Sequence, residues 1–437
     1  MNATVATAAE THESTRAGMT NSAFGVASRA MSGFCRAGIL LLIASRYGPN
    51  IFGKLALAIS MTEIFRIFSE FGVDTISIRR FARGTIAQRP TMLAQMITAK
   101  LFAASICYVI SLLVMLAITR DRTTLLLGAT AGLSLFSTNL VGAFSSYYQS
   151  QLRMREAFPA TVVAFGLYIV LAVTAIFARS PLVLVVVLLP ACELINFALL
   201  KRKVSDVPAI HFDWAATVSL FRESLPIGLM AAMVMLYFRL DNILIYKFVG
   251  SAALGLYAAG FRIVEPALMV PHAFSISLFT ILSSRFESKT PHRRIFQAIV
   301  REMWPAYVFI ICAAAVLVFG GQILLRHFGS AYLAAYPVLR ILSVVLFFRT
   351  VNITLTSILN SQGRYAVVAK VTVTTLACNI IAALILIPQF GIIGAAWAAF
   401  ATELWNMFAQ IICVIRERRV APEDPVYGLV CVEPECD

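Results

Sequence analysis

The chain has 437 residues, of which 59% are hydrophobic and only 13% charged. Soluble globular chains carry about 25% charged and about 45–50% apolar residues, so a soluble core of this length could not hide the apolar surface encoded here. The net charge of +14 would suggest a nucleic-acid partner in a soluble protein. Here no RNA-binding signature and no basic stripe interleaved with aromatics accompanies it, which excludes that class.

The first twenty residues are polar and rich in Ala and Thr. They lack the basic-then-apolar order of a cleavable signal, and residues 1–20 read as a disordered cytoplasmic lead. Twelve apolar segments follow. Six fall at Asn21–Arg46, Ile51–Phe71, Met92–Thr119, Thr123–Ser150, Ala157–Ala178 and Pro181–Leu200. After a gap come Leu225–Lys247, Ala252–Ser283, Arg294–Phe319, Tyr336–Asn360, Tyr365–Ile387 and Gly391–Ile415. Each approaches the roughly 20 residues that cross a bilayer as a helix. They are too long and unbroken for barrel strands, so the fold class is an all-α polytopic membrane protein.

Twelve spans put both termini on one side. With the termini inside, about 21 Lys and Arg fall in cytoplasmic segments, about 8 in external ones and about 7 at membrane depth, as the positive-inside bias requires. The external links are short, and none could form a catalytic domain. The longest polar connection, Lys201–Trp214, lies mid-chain. It divides an N-lobe (21–200) from a C-lobe (217–415) through a cytoplasmic linker (201–216), and a cytoplasmic tail (416–437) ends the chain.

An internal repeat supports the division. Gly48-Pro-Asn-Ile-Phe-Gly53 has a counterpart in Gly250-Ser-Ala-Ala-Leu-Gly255, and Glu63 matches Glu265 at the same offset. Gln151-Leu-Arg153 resembles Gln362-Gly-Arg364, and Glu193-Leu-Ile-Asn196 resembles Glu403-Leu-Trp-Asn406. With six spans each, the halves are parallel repeats, an arrangement common in secondary transporters with a site between them near the midplane.

The segment Gly48–Lys54 imitates a phosphate-binding loop, but that loop must join a strand to a helix. Here it joins two apolar runs and recurs without its lysine, so it reads as a tight external turn whose glycines permit positive φ. Six of the eight cysteines lie in apolar runs and behave as small hydrophobes. Cys431 and Cys436 sit in the polar tail and read as reduced and solvated. No clustered metal site and no nucleophile elbow is present in the sequence.

Ionisable residues deep in apolar runs are costly and usually face a polar cavity or a partner. They are Arg29 and Arg36 in span one, Glu63, Arg66, Glu70 and Asp74 in span two, Arg239 and Asp241 in span seven, Arg262 and Glu265 in span eight, Arg349 in span ten and Glu403 in span twelve. Glu63–Arg66 and Arg262–Glu265 could be neutralised pairs. Lys54, Lys100, Lys247 and Asp74, near span ends, are expected to snorkel to the interface, and His272 beside Pro271 is expected in a packed kink. Midplane arginines in both halves suggest a cavity with several unpaired guanidiniums, which suits a bulky phosphate-bearing headgroup.

These patterns resemble the polysaccharide flippases of the superfamily that also holds the multidrug exporters and the lipid II flippase. The best-matching stretches begin at Tyr47, Arg239, Phe328 and Ile387. The pattern Asp241, Gly250, Leu254, Gly255, Tyr257 and Ala259 in and after span seven is similar to that family. The resemblance implies a V-shaped, two-lobed bundle in a bacterial inner membrane. It would flip undecaprenyl-diphosphate-linked oligosaccharide by alternating access, coupled to H⁺ or Na⁺, with no catalytic residues, no bound metal or other cofactor, and no nucleic acid. Membrane lipids surround it, and a polysaccharide polymerase and chain-length proteins are the expected partners. Arg29, Arg36, Arg66, Arg239, Arg262 and Arg349 are then candidates for the diphosphate or acidic sugars. Glu63, Asp241, Glu265 and Glu403 are candidates for ion coupling or gating. The alternatives are a multidrug cation antiporter, which needs a more apolar or acidic cavity, and a membrane-embedded polymerase or ligase, which needs a large external loop.

Overall fold

The computed structural model describes residues 2–204, 213–287 and 292–416, and every regular element in them is helical. Helix α1 (Asn2–Glu70) leads into the short α2 (Val73–Arg83), then α3 (Arg89–Ile118), α4 (Arg122–Gly132), α5 (Ser134–Ser150), α6 (Met154–Phe177) and α7 (Leu182–Lys201). The second half holds α8 (Trp214–Phe248), α9 (Ser251–Val264), a 3₁₀ turn (Glu265–Leu268) and α10 (Met269–Glu287). It ends with α11 (His292–Phe328), a 3₁₀ segment (Ser330–Ala335), α12 (Tyr336–Ser361) and α13 (Tyr365–Arg416). Helix is the expected answer for such apolar runs, because in lipid each backbone N–H and C=O must be satisfied within its own segment.

Ten stretches among the described residues are long and apolar enough to cross a membrane. Two of them, Ala23–Arg83 with 61 residues and Tyr365–Arg416 with 52, exceed any single crossing. At about 1.5 Å per residue each is far longer than a ~30 Å hydrocarbon core. Both are interrupted by a glycine with non-helical backbone, Gly48 (φ 76°, ψ 170°) and Gly391 (φ 58°, ψ −134°). These are the turns expected between spans one and two and between spans eleven and twelve, so the ten stretches hold the twelve apolar segments read from the sequence. Pro49 directly follows Gly48, where a helix start tolerates its missing N–H. The lead read as disordered enters the structure as the first turns of α1; its alanines favour helix. Residues 205–212 of the linker and the tail from 417, with Cys431 and Cys436, lie outside the described residues.

The main buried apolar cluster runs through both halves, from Ile39 and Leu57 to Leu339 and Ala396; a second lies in the first half and reaches Leu220 of α8, and a third lies in the second half. The halves meet along a seam where the second part of α1, with α2, runs antiparallel to α8. Rungs cross it at four levels: Asn50 with Ser251, Ser60 with Asn242 (2.7 Å), Glu63 with Arg239 (2.5 Å) and Arg80 with Glu223 (2.9 Å). At the Gly48 end the two backbones touch. A Cβ on Gly53 would lie 1.7 Å from the Ser251 carbonyl oxygen, and one on Gly255 would lie 1.9 Å from that of Pro49. Both repeat motifs therefore need glycine at their last position for close approach, and Gly48 and Gly250 (φ 107°) for the turn itself.

A charged seam flanked by two repeat-related cavities

The sequence places Glu63 and Glu265 at equivalent repeat positions, and the fold brings both to one arginine. Arg239 Nε lies 2.5 Å from Glu63 Oε2, an ion pair without hydrogen-bond alignment, and its Nη2 lies 3.8 Å from Glu265. Arg262 holds the other side of Glu265 at 3.1 Å. This cluster lines a cavity of about 270 Å³ at the seam, together with Arg36 and Arg66. Four guanidiniums and two carboxylates thus face one space between the halves.

Arg36 and Arg66 also line a cavity of about 480 Å³ within the N-terminal half, beside Arg29, Glu70, Asp74 and Glu193. The C-terminal half holds a cavity of about 460 Å³ lined in part by Tyr237, His272, Arg349, Asn360, Thr372 and Glu403. The two are the same space in the two repeats. The repeat offset is 202 residues from Gly48 to Gly250, 211 from Gln151 to Gln362 and 210 from Glu193 to Glu403. These shifts carry Ser146 onto Ser357, Gln149 onto Asn360, Thr161 onto Thr372 and Asn196 onto Asn406, and all eight residues are cavity-lining. The charges are not carried over. Arg36, Arg66, Glu70 and Asp74 correspond to Phe238, Leu268, His272 and Ile276.

At the base of each cavity sits one buried glutamate. Glu193 is held by Arg36 from α1 and by Ser137 from α5 (2.5 Å). Glu403 is held by Tyr237 from α8 (2.5 Å), by Arg349 from α12 (2.7 Å) and by the Asn352 side chain (2.7 Å). Each glutamate is therefore gripped from the first and the fourth span of its half, with the cation moved from the first to the fourth. The Arg349 guanidinium also lies over the rings of Phe238 and Phe261, at 5.0 and 5.5 Å, a favourable cation–π arrangement.

The expected unpaired guanidiniums are corrected by this geometry. Of the six candidate arginines, Arg36, Arg66, Arg239, Arg262 and Arg349 each have a carboxylate, and Arg29 alone stands on the cavity wall without one among the described residues. A buried charge left unpaired is strongly destabilising, so partners are the expected state of such arginines. Arg66 pairs with Glu70 at 3.0 Å rather than with Glu63. Arg262–Glu265 forms as the sequence suggests. Lys100 does not snorkel: its side chain is 1% exposed and binds Asp74 at 2.6 Å. Lys54 reaches Asp121 at 2.9 Å, while Lys247 is exposed. Next to Pro266 the helix tightens into the 3₁₀ turn, and His272 faces the C-terminal cavity instead of packing. Asp241 is buried at Tyr257 (3.5 Å) beside Asn379, and its Oδ1 and both Asn379 polar atoms lack hydrogen bonds. Among the described residues no group of His, Cys, Asp and Glu could hold a metal ion.

Comparison with known proteins follows the same outline. The chain is 28% identical over 163 residues to the probable low-salt glycan biosynthesis flippase Agl15 of Haloferax volcanii, a match covering 37% of this chain and 34% of that protein. It is 22% identical over 380 residues to the capsular polysaccharide biosynthesis protein CapF of Staphylococcus aureus, covering 84% and 91%. A solved structure of the lipid II flippase MurJ, in an inward closed conformation, superposes with a TM-score of 0.71 at 13% identity. That superposition covers 91% of this chain and 87% of MurJ, and it establishes the fold. Residues 226–385 match the MatE family model. Residues 31–279, more than half of the chain, match the model described as Polysaccharide biosynthesis protein. The chain is a multi-pass membrane protein that belongs to that polysaccharide biosynthesis family.

Proposed function

We propose that this protein flips an undecaprenyl-diphosphate-linked oligosaccharide across a bacterial inner membrane by alternating access, with both termini cytoplasmic, for surface polysaccharide synthesis. The supporting observation is the seam cavity, where Arg36, Arg66, Arg239 and Arg262 converge between the halves and each already rests on a carboxylate. A diphosphate entering this space would compete with those carboxylates for the same donors. Each fork of donors would exchange a carboxylate for a phosphate acceptor, and the displaced carboxylates would take up protons or cations to keep the buried charge balanced. Arg29, free on the adjoining wall, would be first to meet the headgroup. Arg349 is the least available of the six, being closed against Glu403 and two rings.

Carboxylates released in that exchange make Glu63 and Glu265 gating residues, since both hold Arg239 at the seam. Glu403 serves as a clamp within its half. Asp241, buried and without an ion-pair partner among the described residues, is the candidate for exchanging H⁺ or Na⁺. The name of Agl15 supports a flippase in glycan biosynthesis, and that of MurJ supports a lipid-linked cargo. The MatE match supports a second reading, a multidrug cation antiporter, but among the described residues each carboxylate lining the cavities already has a cationic partner.

The test is complementation of a strain that needs this gene for surface polysaccharide. Arg36→Ala and Arg239→Ala, at normal protein levels, should each lower surface polysaccharide at least about tenfold, the effect of losing one charged hydrogen bond to the cargo. Normal polysaccharide in both variants, or drug sensitivity in the deletion strain, would overturn the assignment. For coupling, Asp241→Asn in proteoliposomes should abolish the dependence of flipping on an imposed H⁺ or Na⁺ gradient.

A further inference from the structure

We propose that the cavity of the C-terminal half is a binding site for the uncharged glycan portion of the cargo; the inference rests on the flippase reading above. The argument begins with what this cavity lacks. Its one ion pair among the described residues, Arg349–Glu403, is closed on every side: the guanidinium sits over two rings, and the carboxylate accepts from Tyr237 and Asn352 as well. No charge is left to grip a phosphate or to attract a cation. The positions that carry Arg36, Arg66, Glu70 and Asp74 in the other half carry Phe, Leu, His and Ile here.

What the cavity offers instead is neutral hydrogen-bonding groups. Thr356, Ser357, Asn360, Thr372, Thr375 and Gln410 line it, and hydroxyls and carboxamides both donate and accept without net charge. Two of the lining groups are orphaned. Asn352 Oδ1 and Thr375 Oγ1 have no hydrogen-bond partner, and both residues are 5% exposed. Each such atom costs about 1–3 kcal/mol unless a ligand or water satisfies it, and both belong to a space of about 460 Å³. A lipid chain would leave them unsatisfied. A sugar would satisfy them with its hydroxyls and lay its C–H faces on the apolar remainder of the wall, Val234, Leu268 and Val371. The diphosphate at the seam and the glycan in this cavity would then occupy adjoining spaces, since Phe238 and Arg239 stand next to each other on α8 and face the two cavities in turn.

The test uses the full-length protein in detergent and three probes. They are lipid-linked oligosaccharide extracted from the producing cells, undecaprenyl diphosphate alone, and the free oligosaccharide released from the extract by mild acid. Thr375→Val with Asn360→Ala should weaken binding of the intact lipid and of the free oligosaccharide about tenfold, as expected for two lost hydrogen bonds. Binding of undecaprenyl diphosphate should stay within about twofold of wild type. Unchanged binding of the intact lipid, an equal loss for all three probes, or wild-type protein that binds the intact lipid no better than undecaprenyl diphosphate would overturn the proposal. If the double variant does not fold, Thr372→Val, on the less buried wall, should weaken binding of the same two probes about threefold, one hydrogen bond instead of two. Wild-type protein that binds the free oligosaccharide but not undecaprenyl diphosphate would sink the diphosphate assignment and leave this one standing.

Discussion

The two halves share a fold, a turn motif and a buried glutamate, yet their cavities differ in kind. The N-terminal cavity is walled by charge, with Arg29, Arg36, Arg66, Glu70, Asp74 and Glu193 on its surface. The C-terminal cavity keeps the hydroxyls and amides common to both, has Phe, Leu, His and Ile where Arg36, Arg66, Glu70 and Asp74 stand, and confines its charge to one closed pair. The difference teaches where divergence is cheap. The helix-to-helix framework constrains glycines and apolar contacts, whereas a cavity wall packs against nothing and can change its chemistry residue by residue. It also shows two ways of satisfying a buried glutamate: Arg36 reaches Glu193 from the first span and remains 39% exposed, while Arg349 reaches Glu403 from the fourth and is 11% exposed.

The comparison can be broken most directly at those two clamps. Arg349→Ala leaves Glu403 buried without its cation and should cost about 3–5 kcal/mol of stability. Arg36→Ala removes a partner that is itself 39% exposed, so the pair it breaks is the more screened of the two, and it should cost less, about 1.5–3 kcal/mol. Chemical unfolding in detergent would read both, and equal losses would contradict the closed-versus-open distinction. Adding Glu403→Gln to Arg349→Ala should recover part of the loss, since the orphaned charge is removed.

A second measurement sharpens the symmetry rather than the difference. Gly53→Ala and Gly255→Ala each force a methyl against the opposing backbone, and each should cost about 1–3 kcal/mol by overpacking. The cost should be similar for the two variants, and a cysteine placed at Asn50 should become more reactive to a water-soluble thiol reagent in both. A large disparity between them would mean that the turns are not equivalent.

The smallest effect lies at an exposed link that only the N-terminal half has. Lys54 pairs with Asp121, which also caps α4 by accepting from the Thr124 amide and hydroxyl, while Leu256 stands at the repeat position of Lys54. The hydrogen bonds from Thr124 and Lys54 hold the Asp121 carboxyl down at about 2. Its contribution is therefore fully present above the ordinary carboxylate range and is lost only as pH falls through about 2. Asp121→Asn should cost less than about 1 kcal/mol at neutral pH, and the variant and wild type should converge in melting temperature on acidification.

The spans, the two glycine turns and the repeat were legible in the sequence because each is a local pattern. Apolar length, a glycine beside or near a proline and a nearly constant offset need no knowledge of what packs where. The pairing of charges was not legible. Arg36 and Glu193 are on different helices, as are Arg349 and Glu403, so neither arginine has an acid within a turn of itself, and both looked free. Arg66 had acids on either side, and the choice of Glu70 over Glu63 was decided by Arg239 arriving from α8. Lys100 looked like an interfacial lysine until Asp74, beyond the break at Gly72, was seen to meet it. The one signal that did point to the clamps was the repeat itself, which marked Glu193 and Glu403 as a matched pair before either had a partner.

The backbone contact at Gly53 and Gly255 carries a kinetic consequence. Most interfaces interlock side chains, and parting them requires rotamers on both surfaces to be reset on every cycle. Two bare main chains have nothing to reset. Separation there removes a dense patch of dispersion contacts and the Asn50–Ser251 hydrogen bond, and it restores them in one geometry on closing. In the proposed alternating-access cycle the seal at this end of the seam would be tight when shut and free of memory when reopened, which is what repeated turnover would demand of a barrier that must also exclude ions.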